Sequence, residues 1–226
     1  MAASISLTGF PAVCYNQGSV PHGTGVKMNC TRVYLIRHGQ VQGHEQKRYN
    51  GQSEVALTEK GRAQFGMLQM RLQERAIKAV YTSDLGRCVE GARILAHAHG
   101  LEPLIRPALR ELHVGEWEGR TWQELQASYP KQWQDRLDDL VHYRVPGGEN
   151  LLDLGQRVRP ALEDILRAHP GEEVVIVGHG GVNRLILLDA IGAPLDKMFH
   201  LAQDFGCLNI IDYHSDGLRV VSLLNG

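Results

Sequence analysis

Two histidines stand directly after strand-like apolar runs, and each has a glycine as its next residue. His38 lies between Arg37 and Gly39, and His179 precedes Gly180. In open α/β sheets, ligands bind outside the carboxyl ends of the strands, so both imidazoles are where a site would form. Glycine beside each histidine removes side-chain bulk and lets a ligand approach the backbone. Both histidines are therefore candidates for residues of a ligand-binding or catalytic site.

Two arginines would bring positive charge to the same place. Arg37 directly precedes His38, and Arg87 lies in the first turn of a predicted helix. A cation in that turn opposes the helix dipole, so capping does not explain Arg87, whereas binding an anion would. The helix that opens at Gly180 also has free N–H groups that suit an anion. Together these groups predict a pocket for a tetrahedral dianion such as phosphate, which the guanidinium fork matches.

Each of these residues also has a simpler interpretation when it is taken alone. A single strand-end histidine is more often a hydrogen-bonded structural residue, and Arg87 could be half of a surface ion pair. Glu111, in an acidic and aromatic loop, is one carboxylate among many. It is the coincidence of four such elements at strand ends that favours an active site.

Strands alternate with helices along the chain that must position these residues. Strand-like runs cover 32–36, 79–83, 104–105, 174–177, 208–213 and 218–223. Helices are expected after Thr58, a plausible N-cap, and over 85–99, 121–142, 151–168 and 183–191. Because parallel strands need helical crossovers, this alternation predicts an α/β fold with a mostly parallel central sheet and helices on both faces.

The chain is expected to form a single domain over residues 28–226. Residues 1–27 show neither a hydrophobic period nor a strand pattern, so they are expected to be a dispensable tail or an over-extended start. A segment at about 120–147 is expected to be a helical cap over the site. Several of its side chains could contact a substrate, although packing on the core is the more frequent role of such aromatics: Trp122, Tyr129, Trp133, His142, Tyr143 and Arg144.

Composition narrows the classes of partner and the compartment. The apolar fraction is 43%, the charged fraction 22% and the net charge −1. This balance gives no electrostatic argument for nucleic acid or an anionic membrane as partner, so we expect neither, and a small-molecule anion must be held by local groups. No run approaches the roughly 20 apolar residues that span a bilayer. Four scattered cysteines without a CxxC pair favour reduced thiols and a cytoplasmic protein, with Cys88 a small buried residue or, alternatively, a reactive thiol.

Five motifs occur in a characteristic order along most of the chain. They are LIRHGQ at 35–40, LTEKGRAQ at 57–64, SDLGR at 83–87, LREL with GEWEG at 109–119, and GHGG at 178–181. In this order they resemble the histidine phosphatase superfamily, which includes cofactor-dependent phosphoglycerate mutases and many phosphatases. The resemblance runs from about Thr31 to the C-terminus and implies the phosphoglycerate mutase-like fold.

The resemblance implies a role for each matching residue. His38 would be the nucleophile that forms a phosphohistidine. Arg37, Arg87 and His179 would hold the phosphoryl oxygens, beside the backbone of Gly39 and Gly180. Glu111 would protonate the leaving oxygen and then activate water. The substrate would be a small phosphomonoester, and neither a metal nor another cofactor is expected to be needed.

The chain departs from the family pattern in the loop after the first histidine. His44 stands where an asparagine is common, and Val41 replaces a usual threonine. Glu54 and Ala56 stand where aspartate and proline are usual, which concerns loop shape more than chemistry. His44 could itself donate a hydrogen bond, so His44 is a candidate substrate-binding residue. So are two residues of the same loop, Asn50 and Gly51.

Three functions are consistent with these motifs. The proline-rich run and other extra segments of the mutases are not found, which favours a phosphatase, and the stretch at 206–209 is similar to α-ribazole phosphatases. α-Ribazole 5'-phosphate is therefore one candidate substrate. Mutase-type phosphoryl transfer and a non-catalytic phosphate-binding protein are the alternatives. The complete set of histidines, arginines and Glu111 argues against the last, because a binding protein needs no proton donor.

Overall fold

A computed structural model describes residues 30–226, in which six strands form one sheet. Their order across the sheet is β3-β2-β4-β1-β5-β6. The first four of these are mutually parallel, while β5 and β6 are antiparallel to their neighbours, so the predicted mostly parallel sheet is confirmed. The predicted tail at 1–27 lies outside the described residues. The strands are β1 (Cys30–Arg37), β2 (Ile77–Thr82), β3 (Leu104–Ile105), β4 (Glu173–Gly178), β5 (Leu208–His214) and β6 (Arg219–Leu223).

Three of the six α-helices of residues 30–226 begin at a residue whose side chain accepts a hydrogen bond from a free N–H group of the first turn. Thr58 Oγ1 accepts a hydrogen bond from Gly61 N, as the sequence predicts, and Asn150 forms a reciprocal capping box with Asp153. No helix of the described part of the chain is long and apolar enough to cross a membrane. The helices are α1 (Glu59–Leu72), α2 (Gly86–His97), α3 (Trp122–Ser128), α4 (Pro130–Asp138), α5 (Leu151–Ala168) and α6 (Gly180–Ile191).

Two helix predictions need correction. The single helix expected over 121–142 is two helices, because Pro130 begins α4 and disfavours helical backbone at Tyr129, whose ψ is 49°. The helix expected over 183–191 extends back to Gly180, directly after His179, which agrees with the helix opening expected at Gly180. That earlier start brings the first turn of α6 to the end of β4, so its N–H groups lie beside the predicted site.

Alternate side chains of β1 lie on opposite faces of the sheet, and each face is covered by helices. Val33 and Leu35 belong to a buried cluster that also contains residues of α5 and α6, whereas Tyr34 and Ile36 pack with residues of α1 and α2. The prediction of helices on both faces is therefore confirmed. The neighbouring strands β1 and β4 lead to α1 on one face and to α6 on the other. This divergence opens a crevice at the carboxyl ends of both strands.

The segment of α3 and α4 is joined to the main domain by aromatic packing. Trp117 is 1% exposed, and its ring lies 6.0 Å from Trp133 and 5.8 Å from Tyr49, centroid to centroid. Trp122 lies 6.1 Å from Tyr49 in the same cluster. Offset aromatic pairs at these separations are stabilising, so the cluster holds α3 and α4 against the loop that follows β1.

Candidate active site

His38 occupies the point at which the chain leaves β1. Its backbone N–H donates to Gly178 O of the neighbouring β4 at 2.9 Å, and its side chain is buried, with 5% of the residue exposed. Nδ1 lies 2.9 Å from Gly39 O. A carbonyl oxygen can only accept, so Nδ1 carries the hydrogen in the neutral ring. The lone pair is therefore on Nε2, the nitrogen that a nucleophile would use.

The surroundings of His38 keep its imidazole neutral. Burial lowers its pKa well below the ordinary 6.5, and the nearby charges of Arg37 and Arg87 lower it further. Protonation would occupy the Nε2 lone pair and abolish nucleophilicity. The same cations that suit a phosphate thus also preserve the free base at neutral pH.

Arg37 and Arg87 are held rigidly, although neither donates to a carboxylate. Arg87 Nη1 and Nη2 donate to the carbonyl oxygens of Ser53 and Gly51 at 2.8 and 2.7 Å. Arg37 donates through Nη1 to Gln203 O, and its guanidinium lies 4.0 Å from the centre of the Phe205 ring. In both arginines Nε is buried without a hydrogen-bond partner. The carbonyl and aromatic contacts fix the guanidinium groups without neutralising them, so both retain their charge for an anion.

His179 packs against His38 but lies deeper in the protein. The ring centroids are 5.3 Å apart at an interplanar angle of 63°, and His179 is fully buried, with 0% exposed. Its Nε2 lies 2.8 Å from Ser83 Oγ. Burial, then the charge of Arg87, lowers the pKa of His179 well below its ordinary range. Its position supports the His38 ring from behind, while a direct contact between His179 and a phosphoryl oxygen stays a prediction.

Cys88 lies beside His179 and behaves as a buried thiol. Its Sγ is 3.4 Å from His179 Nε2 and donates to Gly178 O at 3.3 Å. Burial raises the pKa of the Cys88 thiol to about 12. The group therefore stays protonated at neutral pH, which favours the packing role over the reactive thiol.

Glu111 lies at the N-terminus of α6. Its Oε2 accepts from Gly181 N at 3.0 Å, and its Oε1 accepts from Leu112 N at 2.8 Å. A β-carbon at position 181 would overlap Glu111 Oε1, so only glycine at 181 permits this contact. The glycine that follows Gly180 in the GHGG motif therefore positions the carboxyl group.

Arg157 fixes the backbone that carries Glu111. This α5 side chain donates to the carbonyl oxygens of Ala108, Arg110 and Glu111 at 2.7 to 2.9 Å. It also forms a bidentate ion pair with Glu149, at 2.7 and 2.8 Å. One guanidinium thus gathers three carbonyl groups of the loop, which accounts for an ordered Glu111 in a segment without strand or α-helix.

A cavity of about 370 Å³ opens above these groups. Most of the predicted site residues meet at its wall: Arg37, His38, His44, Asn50, Gly51, Arg87, Glu111 and Gly180. Gly39 is not among the lining residues, because its α-carbon faces Gly61, whose carbonyl oxygen would be 2.5 Å from a β-carbon. The contact observed for Gly39 is its carbonyl, which orients His38, and its predicted contact with phosphate stays untested.

His44 lines the cavity and pairs with Gln40. His44 Nε2 lies 2.9 Å from Gln40 Nε2, and its ring meets Phe205 edge-on at 6.3 Å. An amide N–H donates, so His44 Nε2 accepts in this arrangement. The nitrogen available as a donor is therefore Nδ1, which has no hydrogen bond in the described residues and lies 3.5 Å from Glu45 Oε1.

The predicted cap side chains divide into three groups. Trp122 lines the cavity, whereas Tyr129, Trp133 and Tyr143 pack on the core cluster. The two remaining residues lie at the surface, where His142 contacts Asp139 and Arg144 contacts Asp153. Packing on the core is thus the observed role of half of these six residues.

Several lining residues were missed in the sequence, among them Arg136, Arg184 and Phe205. Arg184 had a signal, since it follows Gly180 by four residues and so shares its face of α6. Arg136 and Phe205 reach the cavity through the folding of α4 and of the loop before β5. Neither belongs to a motif or a strand end, so the sequence offered no comparable signal.

We expect acid to destabilise the protein through its two buried histidines. The pKa values of His38 and His179 lie well below 6.5 in the folded protein, so below that pH the unfolded chain binds protons that the folded chain excludes. The free energy of unfolding should therefore fall by about 1 kcal/mol for each histidine as the pH decreases from about 6.5 to 5.5, because the unfolded imidazole becomes protonated over that interval. Urea unfolding at several pH values measures this slope.

The variant His38→Asn is the control for that measurement. Asparagine can still donate to Gly39 O but does not titrate. The dependence of the unfolding free energy on pH should therefore decrease by the contribution of one histidine. An unchanged slope in His38→Asn would show that His38 is protonated in the folded protein or that other groups dominate.

Within residues 30–226, no group of three or more histidine, cysteine or acidic side chains could hold a metal ion.

Comparison with known proteins gave consistent matches. A family model described as the histidine phosphatase superfamily (branch 1) matches residues 33–226. A probable phosphoglycerate mutase of Serratia proteamaculans is 37% identical over 164 residues, or 72% of this chain and 76% of the relative.

Two solved structures with the same fold are phosphatases by name. The α-ribazole phosphatase from Shigella flexneri is 29% identical with a TM-score of 0.80, covering 86% of this chain and 96% of that one. A mycobacterial glucosyl-3-phosphoglycerate phosphatase is 25% identical with a TM-score of 0.79, covering 87% and 99%.

Proposed function

Because the chain belongs to the histidine phosphatase superfamily, we propose that it hydrolyses a small phosphomonoester through a phosphohistidine at His38. The observation that carries this proposal is the state of the His38 ring. Its Nδ1–H is committed to Gly39 O, and its pKa is depressed, so Nε2 is a free base at the wall of the cavity. An oriented and unprotonated nitrogen beside two arginines is what nucleophilic attack on phosphorus requires.

The first half-reaction transfers the phosphoryl group to the enzyme. Arg37 and Arg87 bind its oxygens and stabilise the charge that develops on them. His38 Nε2 forms a bond to phosphorus as the bond from phosphorus to the ester oxygen breaks. The leaving oxygen takes a proton from the Glu111 carboxyl group, and an alcohol departs. The imidazole becomes cationic during attack, and the Gly39 carbonyl that accepts from Nδ1 stabilises this charge.

The second half-reaction returns the enzyme to its initial state. A water molecule enters where the alcohol was and gives a proton to Glu111 as its oxygen bonds to phosphorus. The bond between Nε2 and phosphorus breaks, inorganic phosphate leaves, and Glu111 is again protonated. One carboxyl group thus acts first as acid and then as base.

Mutase-type transfer is the second candidate, since the relative from Serratia proteamaculans has a probable phosphoglycerate mutase name. The two functions share the phosphohistidine and differ in what accepts the phosphoryl group, a water molecule or a hydroxyl group of the bound metabolite. The phosphatase is favoured here by the names of the structural neighbours and by the missing proline-rich run. α-Ribazole 5'-phosphate is one candidate substrate, because an α-ribazole phosphatase is among those neighbours.

A screen of phosphorylated metabolites for phosphate release tests the proposal. α-Ribazole 5'-phosphate and glucosyl-3-phosphoglycerate belong in it, beside simple sugar phosphates. In a parallel assay, 3-phosphoglycerate is incubated with a trace of 2,3-bisphosphoglycerate, and the 2-isomer is measured. Phosphate release without isomerisation supports the phosphatase. Isomerisation faster than phosphate release supports the mutase. If no compound undergoes either reaction, both functions are contradicted.

A further inference from the structure

The cavity carries far more positive charge than a single phosphoryl group uses. Among its described lining residues, six are arginine or lysine, and Glu111 is the one acid. Two of these cations, Arg37 and Arg87, flank His38 and would neutralise one dianion. The other four lie around the remainder of the wall: Lys47, Arg48, Arg136 and Arg184.

Three of those four cations already have contacts within the protein. Arg48 donates to Gln46 Oε1 and to Gly119 O, and it lies 4.0 Å from Glu124. Arg184 donates to Leu201 O and Gly180 O. Lys47 has its ammonium group 5.8 Å from the centre of the Trp122 ring. These contacts explain where the three side chains lie without any ligand.

Arg136 is different. It is 5% exposed, lines the cavity from α4, and has no hydrogen bond or ion pair to any residue of the described chain. The acids around it on α4 have other partners. Asp135 accepts from Lys131 at 2.7 Å, Asp138 from Gln134 at 2.7 Å, and Asp139 from His142 at 3.0 Å. The residue is largely buried, and its guanidinium group meets the cavity with no counter-charge beside it, which suits an anion that enters the cavity.

We propose that Arg136 binds a second anionic group of the substrate, a carboxylate or a second phosphate, while the scissile phosphoryl group sits at His38. This inference rests on the proposed function and narrows its substrate class to doubly anionic phosphomonoesters. The aromatic packing of α4 favours it, because Trp133, one turn before Arg136, fixes this face of the helix. A phosphomonoester without a second anionic group, such as α-ribazole 5'-phosphate, would leave Arg136 unpaired.

Matched pairs of compounds test the proposal through competitive inhibition of p-nitrophenyl phosphate hydrolysis. In the first pair, 3-phosphoglycerate carries a carboxylate where glycerol 3-phosphate carries a hydroxymethyl group. In the second, propane-1,3-diol bisphosphate is compared with its monophosphate. We expect the wild-type protein to bind the doubly anionic member of at least one pair about 10–100-fold more tightly, as is usual for hydrogen bonds between charged groups. The pair that shows the preference identifies the second group.

The variant Arg136→Met should remove most of this preference, and Arg136→Lys should retain part of it because the charge remains. Arg93→Met, at an exposed position of α2, is the matched control and should keep the preference. Equal affinities within both pairs in the wild type overturn the proposal, as does a preference that survives in Arg136→Met. Calorimetric titration of His38→Asn, which lacks the proposed nucleophile, measures the binding of the same four compounds without turnover. A protein that shows the preference but releases no phosphate would therefore contradict the proposed function and support this inference.

Discussion

Replacement of His38 by asparagine should abolish the phosphoenzyme and lower turnover by at least about 10⁴-fold, the scale of a lost covalent nucleophile. Asparagine places an amide N–H where His38 Nδ1 donates to Gly39 O, so the loop after β1 keeps its hydrogen bond. What it lacks is a basic nitrogen in the position of Nε2. The variant therefore separates the chemistry of the imidazole from its structural contact, which His38→Ala would remove as well.

The measurement is the covalent intermediate itself. A substrate labelled on its phosphoryl group is mixed with the enzyme, and the reaction is stopped with alkali, because a phosphohistidine survives base and is lost in acid. The wild-type protein should retain label on His38, and His38→Asn should retain none. The matched control is His97→Asn, an exposed histidine of α2, which should behave as the wild type. Wild-type turnover in His38→Asn would remove His38 from the mechanism.

The strand-end positions made much of the site predictable from the sequence. His38 and His179 follow β1 and β4 directly, and adjacent parallel strands place the residues after them side by side. The approach of the two rings to 5.3 Å is thus a consequence of register. Arg87 was assigned to the anion site because a cation in the first turn opposes the helix dipole. The structure adds a second role, since Arg87 also donates hydrogen bonds to the carbonyl groups of Gly51 and Ser53.

Arg136 and Phe205 escaped prediction because they reach the site through tertiary packing alone. Arg136 lies on a helix that was expected to be continuous with the one before it, and only the break at Pro130 sets its direction. Phe205, which stacks under Arg37, lies in an irregular loop before β5. Neither periodicity nor motif spacing encodes such contacts, since they depend on how separate elements pack. The same holds for Arg157, whose three carbonyl partners are 46 to 49 residues away.

Glu111→Gln should slow phosphoenzyme formation by a factor that depends on the basicity of the leaving group. A general acid matters only as much as the departing oxygen needs a proton. An alkyl phosphate expels a strongly basic alkoxide, whereas p-nitrophenyl phosphate expels a stabilised phenolate that can depart unaided. Glutamine can still accept from Gly181 N and Leu112 N through its single oxygen, as Glu111 Oε1 does, but it cannot transfer a proton. We expect phosphoenzyme formation from the alkyl phosphate to slow by about 10²–10⁴-fold, with a much smaller loss for p-nitrophenyl phosphate.

The rate must be read from the pre-steady-state burst, since Glu111 would also serve as base for water in the second step and steady-state rates mix the two. A phosphohistidine that forms and then persists would support this dual role. Equal losses with both substrates would mean that Glu111 holds structure or substrate, and the acid would then be sought at Glu116 or Glu118.

A second variant moves the carboxyl group without changing it. Gly181 lies within α6, where alanine is favourable for the helix, but its β-carbon would overlap Glu111 Oε1. Gly181→Ala should therefore leave the melting temperature unchanged or raised, and should still reproduce the leaving-group dependence of Glu111→Gln. Gly66→Ala in α1 is the matched control, because a β-carbon there meets no atom within 4 Å. It should leave both burst rates unchanged. If Gly181→Ala also kept the wild-type burst rate with the alkyl phosphate, the contact between Glu111 and the first turn of α6 would not be what positions the acid.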